Sequence, residues 1–182
     1  MERENHIIEK PEIAVFWFRR DLRLDDHPGL TAAVASGQPV IAIFIHDETS
    51  QAMGAAAKWR LGQSLAALAR DLGGLGCRLI LRQGAALEVL SQVIDEAGAD
   101  AVYWTRYYEP AHIARDRLVK SMLRARGIRA ESFGGALLAE PRNLLNGAGQ
   151  PYAVFTPFWR RLRSIDMGAP LPPPAQLPAV GA

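Results

Sequence analysis

Short runs of β-branched and aromatic residues alternate along this chain with stretches that repeat at helical spacing, and this alternation restricts the fold more than any other feature. The strand-like runs are Ile13–Phe18, Val40–His46, Arg78–Leu81 and Ala101–Trp104, with a weaker one at Arg129–Phe133. Between them, Leu61, Leu65, Leu68 and Leu72 form one apolar stripe; Leu87, Leu90, Ile94 and Ala97 form a second, and Ala114, Leu118, Met122 and Ala125 a third. Gly37, Gly73 and Gly74, Gly98 and Gly127 stand where those helices should stop. Strands this continuously apolar are covered on both faces, and a helix after each strand carries the chain back for parallel pairing. The pattern predicts an α/β fold: a Rossmann-like, doubly wound parallel sheet of about five strands with helices on both faces.

Composition narrows the setting. A chain of 182 residues, 49% hydrophobic and 22% charged, suits one domain with a complete core. The net charge of +2 comes from basic residues interleaved with acidic ones, so it neither demands nor excludes nucleic acid. The single cysteine, Cys77, precludes an intrachain disulfide and fits a reducing compartment. No window nears the roughly 18 apolar residues of a membrane span, and the polar tail, residues 1–12, lacks the apolar segment of a secretory signal, so a cytoplasmic location is expected. The domain is expected over 13–162. The proline-rich stretch "GAPLPPPAQLPAVGA" places an interdomain linker over 163–182, and a linker implies a longer parent chain.

The stretch "AVFWFRRDLRLDDHPGL", Ala14–Leu30, turns from a buried strand into a run of charge. In open α/β sheets ligand crevices lie outside the carboxyl ends of the strands, so Arg19–Asp26 belongs at such a rim. Asp25 or Asp26 is expected to cap the next helix, with Pro28 in its first turn. The arginines are forked donors suited to a carboxylate, a phosphate or a neighbouring domain; alternatively they pair internally and staple the loop.

"FWFRRDLRLDDHPGL" resembles the opening of the photolyase/cryptochrome family. "PVIAIFIHDE" is similar to the family's second strand, "AVYWTRYYEPAHIARD" to its fourth strand and following helix, and "YAVFTPFWRRL", Tyr152–Leu162, to the segment before its interdomain linker. The resemblance implies a two-domain flavoprotein. Its N-terminal α/β domain often holds an antenna chromophore, which is a folate, a deazaflavin or FMN. Its C-terminal helical domain binds FAD, receives damaged DNA and contains a tryptophan electron path. The implied parent is a monomeric, light-dependent deoxyribodipyrimidine photolyase, a lyase that flips a pyrimidine dimer out of the duplex and splits it with an electron from reduced FAD. Its partners are DNA carrying such dimers and its own helical domain. The helical domain is absent from these 182 residues, so neither FAD binding nor activity is expected of this chain alone. A cryptochrome-type blue-light receptor domain, or a stand-alone small-molecule-binding module, is the alternative.

By motif position the resemblance places Arg20 against the polar edge of an antenna ring and Phe44 and Met53 against its face. Tyr107 stands where deazaflavin-binding relatives carry aspartate. Gln51 stands where folate-binding relatives carry histidine, and Ala111–His112 where they carry asparagine–glutamate. The antenna's identity is therefore open. Read as residues alone, Phe44 and Met53 serve a core equally well, Trp104 and Tyr108 close a core or stack on a ring, and Arg106 and Glu109 pair across a loop. Trp17, Trp59 and Trp159 are core or domain-contact residues, and Cys77 is an inert buried thiol.

No catalytic or metal-binding residue is expected. His6, His27, His46 and His112 lack metal-site spacing, and no glycine-rich phosphate loop follows a strand, since "GGLG" follows a helix instead. The basic residues Arg115, Arg117, Lys120, Arg124, Arg126 and Arg129 form either a solvated helix face or a phosphate-binding one. Phe155, Phe158 and Trp159 are expected to be exposed where a helical domain docks.

Overall fold

The computed structural model describes residues 12–178. Five parallel strands form one sheet in the order β3-β2-β1-β4-β5: β1 is Ala14–Phe18, β2 Val40–His46, β3 Leu79–Gln83, β4 Ala101–Thr105 and β5 Arg129–Phe133. The chain winds outward from β1 through β2 to β3, then returns to the other side of β1 for β4 and β5. The winding reverses between β1 and β4, and a crevice opens at the carboxyl ends of such a pair.

Alternate residues of each strand face opposite layers. Val15, Trp17, Ile43, Ile45, Val102 and Trp104 face α4 (Ala86–Ala97) and α5 (Pro110–Ala125). Phe16, Phe18, Phe44 and Tyr103 pack in the other layer with Leu30 of α1 (Pro28–Ala35) and with Leu68 and Leu72 of α3 (Ala55–Gly74). A single turn, α2 (Glu48–Gln51), separates β2 from α3, and α6 (Phe155–Arg163) follows the irregular stretch after β5. The doubly wound expectation therefore holds.

Several local expectations do not. Only the interior strands are covered on both faces; at the sheet's edge Leu81 of β3 is exposed. The third apolar stripe is misplaced: Leu118 and Met122 point to solvent, and α5 buries His112, Val119 and Leu123 instead. Asp116 shares that inward face with them, so a count of apolar residues selects the wrong side. The cap of α1 is His27, whose Nδ1 accepts from the Leu30 amide at 3.4 Å, whereas Asp25 and Asp26 are exposed. After α3 the left-handed backbone is taken by Gly76 (φ 78°), while Gly73 and Gly74 complete the helix. At Gly98 (φ 67°) the expected left-handed stop of α4 is found.

The proline-rich stretch lies along the domain as far as it is described. Asp26 N donates to Leu171 O at 2.8 Å, Val40 N donates to Pro178 O at 2.6 Å, and Leu177 is buried beside the α1–α3 layer. The strap thereby gives the first amide of β2 an acceptor. Leu177→Ala should lower the unfolding free energy by about 2–4 kcal/mol, read from chemical denaturation; a loss under about 0.5 kcal/mol would match an ordinary surface change and show that the strap adds no stability.

Candidate functional site

β1 and β4 end side by side, and the residues that follow them build the crevice rim. Arg19 is only 6% exposed, although it leaves the strand as a cation. Its Nη1 donates to Thr105 O at 3.0 Å and to Asp116 Oδ2 at 2.7 Å, and its guanidinium lies over the rings of Trp17 (4.7 Å) and Tyr107 (4.2 Å). Burial lowers its pKa, and Asp116 opposes that shift. Asp116 also accepts from Trp104 Nε1 at 3.2 Å and meets Arg115, which reaches Asp47 Oδ2 at 2.6 Å. Asp47 Oδ1 caps α2 by accepting from Ser50 N. A ladder of charge thus ties the ends of β1 and β2 to α5.

Beside it, Asp21 accepts from the Arg19 amide at 3.0 Å and lies 2.9 Å from His27 Nε2, both side chains being fully buried. His27 Nδ1 accepts an amide hydrogen, which leaves Nε2 as the ring nitrogen that faces the Asp21 carboxylate. Burial alone would raise the pKa of Asp21, but the adjoining His27, then the Thr105 hydroxyl and the Arg19 amide, outweigh it and the net shift is downward.

Arg20 turns outward, and its side chain is 48% exposed and paired with Glu109 at 2.8 Å. Its backbone amide donates to the hydroxyl of Tyr107, and its guanidinium stands 5.0 Å from that ring. Tyr107 is 8% exposed, so the Arg19 and Arg20 guanidiniums and the edge-on His112 ring, 5.5 Å away, enclose it. Burial raises the Tyr107 pKa and keeps its hydroxyl protonated. Burial also lowers the pKa of His112, helped by three neighbouring arginines. Arg106 pairs with Glu140 rather than with Glu109, and Tyr108 bonds to the same carboxylate, its pKa pushed up to about 12 by burial and that bond.

All four side chains singled out in the sequence, Arg20, Phe44, Met53 and Tyr107, line one crevice at this rim. Trp17 and Leu61 add to its apolar wall, Arg19 and Arg115 form its cationic side, and His112 lines it as well. Residue type suits a flat aromatic ligand with a polar edge. The enclosed volume of 40 Å³ does not, because ligand sites run to roughly 300–1,000 Å³. A second, open cleft of 580 Å³, lined by Arg20, Asp21, Arg23, Tyr107, Tyr108 and Gly135 among others, adjoins it.

Comparison with known proteins gives this geometry its context. A family model described as DNA photolyase matches residues 14–178. The chain belongs to the DNA photolyase family. A deoxyribodipyrimidine photo-lyase of Agrobacterium fabrum is 45% identical over 166 residues, which are 91% of this chain and 35% of that protein. Cryptochrome-1 of Arabidopsis thaliana is 37% identical over 90% of this chain and 25% of its own length. The crystal structure of a bacterial class III photolyase from Agrobacterium tumefaciens superposes with a TM-score of 0.91 at 42% identity, covering 99% of this chain and 38% of that one. This photolyase-family chain thus spans about a quarter to a third of the length of these curated relatives.

The sequence reading missed the ladder, because Asp47, Arg115 and Asp116 meet only through the fold. The arginine–aspartate alternation after β1 was its one visible sign. The basic residues of α5 and its exit are largely engaged within the domain: Arg115 with Asp47, Lys120 with Ser132, Arg124 with the Ala130 carbonyl, Arg126 with Asp95. No cluster able to hold a metal occurs among the described residues, and no helix there is long and apolar enough to cross a membrane. Cys77 is buried and its thiol pKa is raised by that burial.

Asp116→Ala should cost about 3–5 kcal/mol of stability by leaving Arg19 buried without its carboxylate; a thermal melt within a degree or two of the parent's would refute the ladder's role. Since the folded-state pKa of Asp21 is depressed, its contribution is complete above the ordinary aspartate value of about 3.9 and fades as pH falls through the lower folded value. Asp21→Asn should therefore destabilise the domain at pH 7 and make its stability less sensitive to acid as the pH falls below about 4, as measured by denaturant midpoints on the acid side.

Proposed function

We propose that this chain is the N-terminal, antenna-type domain of a light-dependent DNA photolyase that repairs pyrimidine dimers, with FAD held by a helical domain that follows it. The observation carrying this reading is the crevice at the β1–β4 switch point, where Arg20, Phe44, Met53 and Tyr107 converge on a wall of aromatic and apolar side chains. A related archaeal photolyase from Sulfolobus tokodaii, with a TM-score of 0.79 at 28% identity, is described as holding two FAD molecules and implying a novel light-harvesting cofactor. That description supports a flavin-like ring as the class of antenna, alongside the deazaflavin and folate of the family.

The domain division follows the same reading: an α/β unit over 13–162, a connector over 163–182, and photochemistry residing in the part beyond. On α6, Phe155 is 70% exposed and stacks on Trp159 with ring centres 6.0 Å apart. Beneath α6 runs an apolar cleft of 550 Å³ walled by Leu137, Leu138, Leu145, Phe158 and Leu162. This surface is the proposed seat of the parent's own helical domain. The parent acts as a cytoplasmic monomer on DNA, and this chain alone carries no lyase activity.

The likeness to cryptochrome-1 favours a second reading, a blue-light receptor domain, and one assay separates the two. The parent protein, mixed with an oligonucleotide containing a cyclobutane pyrimidine dimer, should restore intact pyrimidines under near-ultraviolet or blue light and not in darkness. Light-dependent flavin reduction without repair would replace the photolyase reading with the receptor. In the same protein, Arg20→Ala should weaken retention of any co-purifying antenna by about tenfold, the scale of one charge-assisted hydrogen bond, scored by absorbance after gel filtration. Undiminished retention would remove Arg20 from the pocket.

A further inference from the structure

Tyr107 and Arg20 are the residues shared by the 40 Å³ crevice and the 580 Å³ cleft. They are the wall between the two spaces. The crevice side offers Phe44, Met53, Trp17 and Leu61, which suit a flat ring, and the cleft side offers Arg20 and Arg23 beside the open carbonyl end of the sheet. The cleft has the room of an ordinary ligand site, roughly 300–1,000 Å³, but stands open, and the crevice has the flat-ring lining but only 40 Å³. Of the two residues in that wall, Arg20 is half-exposed and held by Glu109, so the Tyr107 ring is the one that closes the crevice from the cleft.

We propose that Tyr107 is a movable partition, and that swinging its ring aside merges crevice and cleft into one site for a planar heteroaromatic ring with an anionic tail. The inference rests on the antenna reading for the ligand's class, but the partition itself does not. The ring is held in place by non-covalent contacts alone: the hydrogen bond from the Arg20 amide, the guanidiniums at 4.2 and 5.0 Å, and the edge of His112. Each is individually modest. Beneath the ring lies Arg19, whose Nη2 is buried and has no hydrogen-bond partner. Moving the phenol away uncovers a cationic donor at the inner end of the crevice, where the polar edge of an incoming ring can accept from it. Arg19 itself stays anchored by Thr105 O and Asp116 through Nη1. Arg23 is held by the Gly135 carbonyl at 2.9 Å on the far side of the cleft, placing a fixed guanidinium where a phosphate-bearing tail would run.

The test uses the 182-residue chain with Trp59→Phe and Trp159→Phe, which removes the exposed indoles and leaves the buried Trp17 and Trp104 as reporters. Iodide quenching reads access to the crevice without any ligand. Tyr107→Ala should raise the quenching constant several-fold over the Tyr107 parent, with Tyr107→Phe, which loses only the hydrogen bond, in between. Unchanged quenching in Tyr107→Ala overturns the partition. If that variant does not fold, Tyr107→Phe decides alone, a rise supporting the partition and no rise refuting it. FMN is then titrated by its own fluorescence. Tighter binding to Tyr107→Ala than to the parent by about tenfold or more, the scale of one lost cation–π clamp, supports the merged ligand site. Raised quenching with no gain in FMN affinity upholds the partition and refutes the assignment of a flavin-like ligand to the merged site, so the two failures are distinguishable.

Discussion

A guanidinium buried between two aromatic rings lets a charged loop leave the end of a fully buried strand. Arg19 lies over Trp17 and Tyr107 and is fixed by Asp116 and the Thr105 carbonyl, so the chain turns at the sheet's carboxyl end without exposing the core beneath it. Burying an ion is unfavourable unless a partner and hydrogen bonds accompany it. Here Asp116 and the carbonyl do so, and Arg115 and Asp47 extend the arrangement until three separate elements are locked in register.

The same interaction shapes the crevice. Strand order places β1 and β4 side by side, which brings Arg19–Asp21 against Arg106–Glu109. Whatever enters must contend with aromatic walls and several cations, most of them already matched by carboxylates: Arg20 by Glu109, Arg115 by Asp47, Arg19 by Asp116. Such a site does not attract anions by net charge. It selects by hydrogen-bond direction and by the space that Tyr107 leaves.

The run "FRRDLRLDD" offered two roles, an internal staple or a clamp on something external. The structure divides them among neighbours. Arg19 is tied to the end of β4 and to α5, Asp21 faces the cap of α1 and Arg23 is tied into the loop, whereas Arg20 reaches the crevice rim half-exposed. Capping by His27 rather than by the adjacent aspartates fits the same division, since its ring accepts the Leu30 amide through Nδ1 and sets Nε2 2.9 Å from Asp21.

Local sequence determined the layered α/β plan, because periodicities of two and of 3.6 residues are set by backbone geometry and are visible in any window of the chain. The resemblance of its motifs likewise sufficed to bring Arg20, Phe44, Met53 and Tyr107 to one place. Tertiary structure decided what no window contains: that α5 turns Asp116 and His112 inward, that Asp47 waits for Arg115 across the sheet's end, and that the Tyr107 ring fills the space its neighbours line. These are pairings over long sequence separations among polar groups. Their burial follows from partners met only after folding, and hydropathy, read along the chain, assigns such groups to solvent.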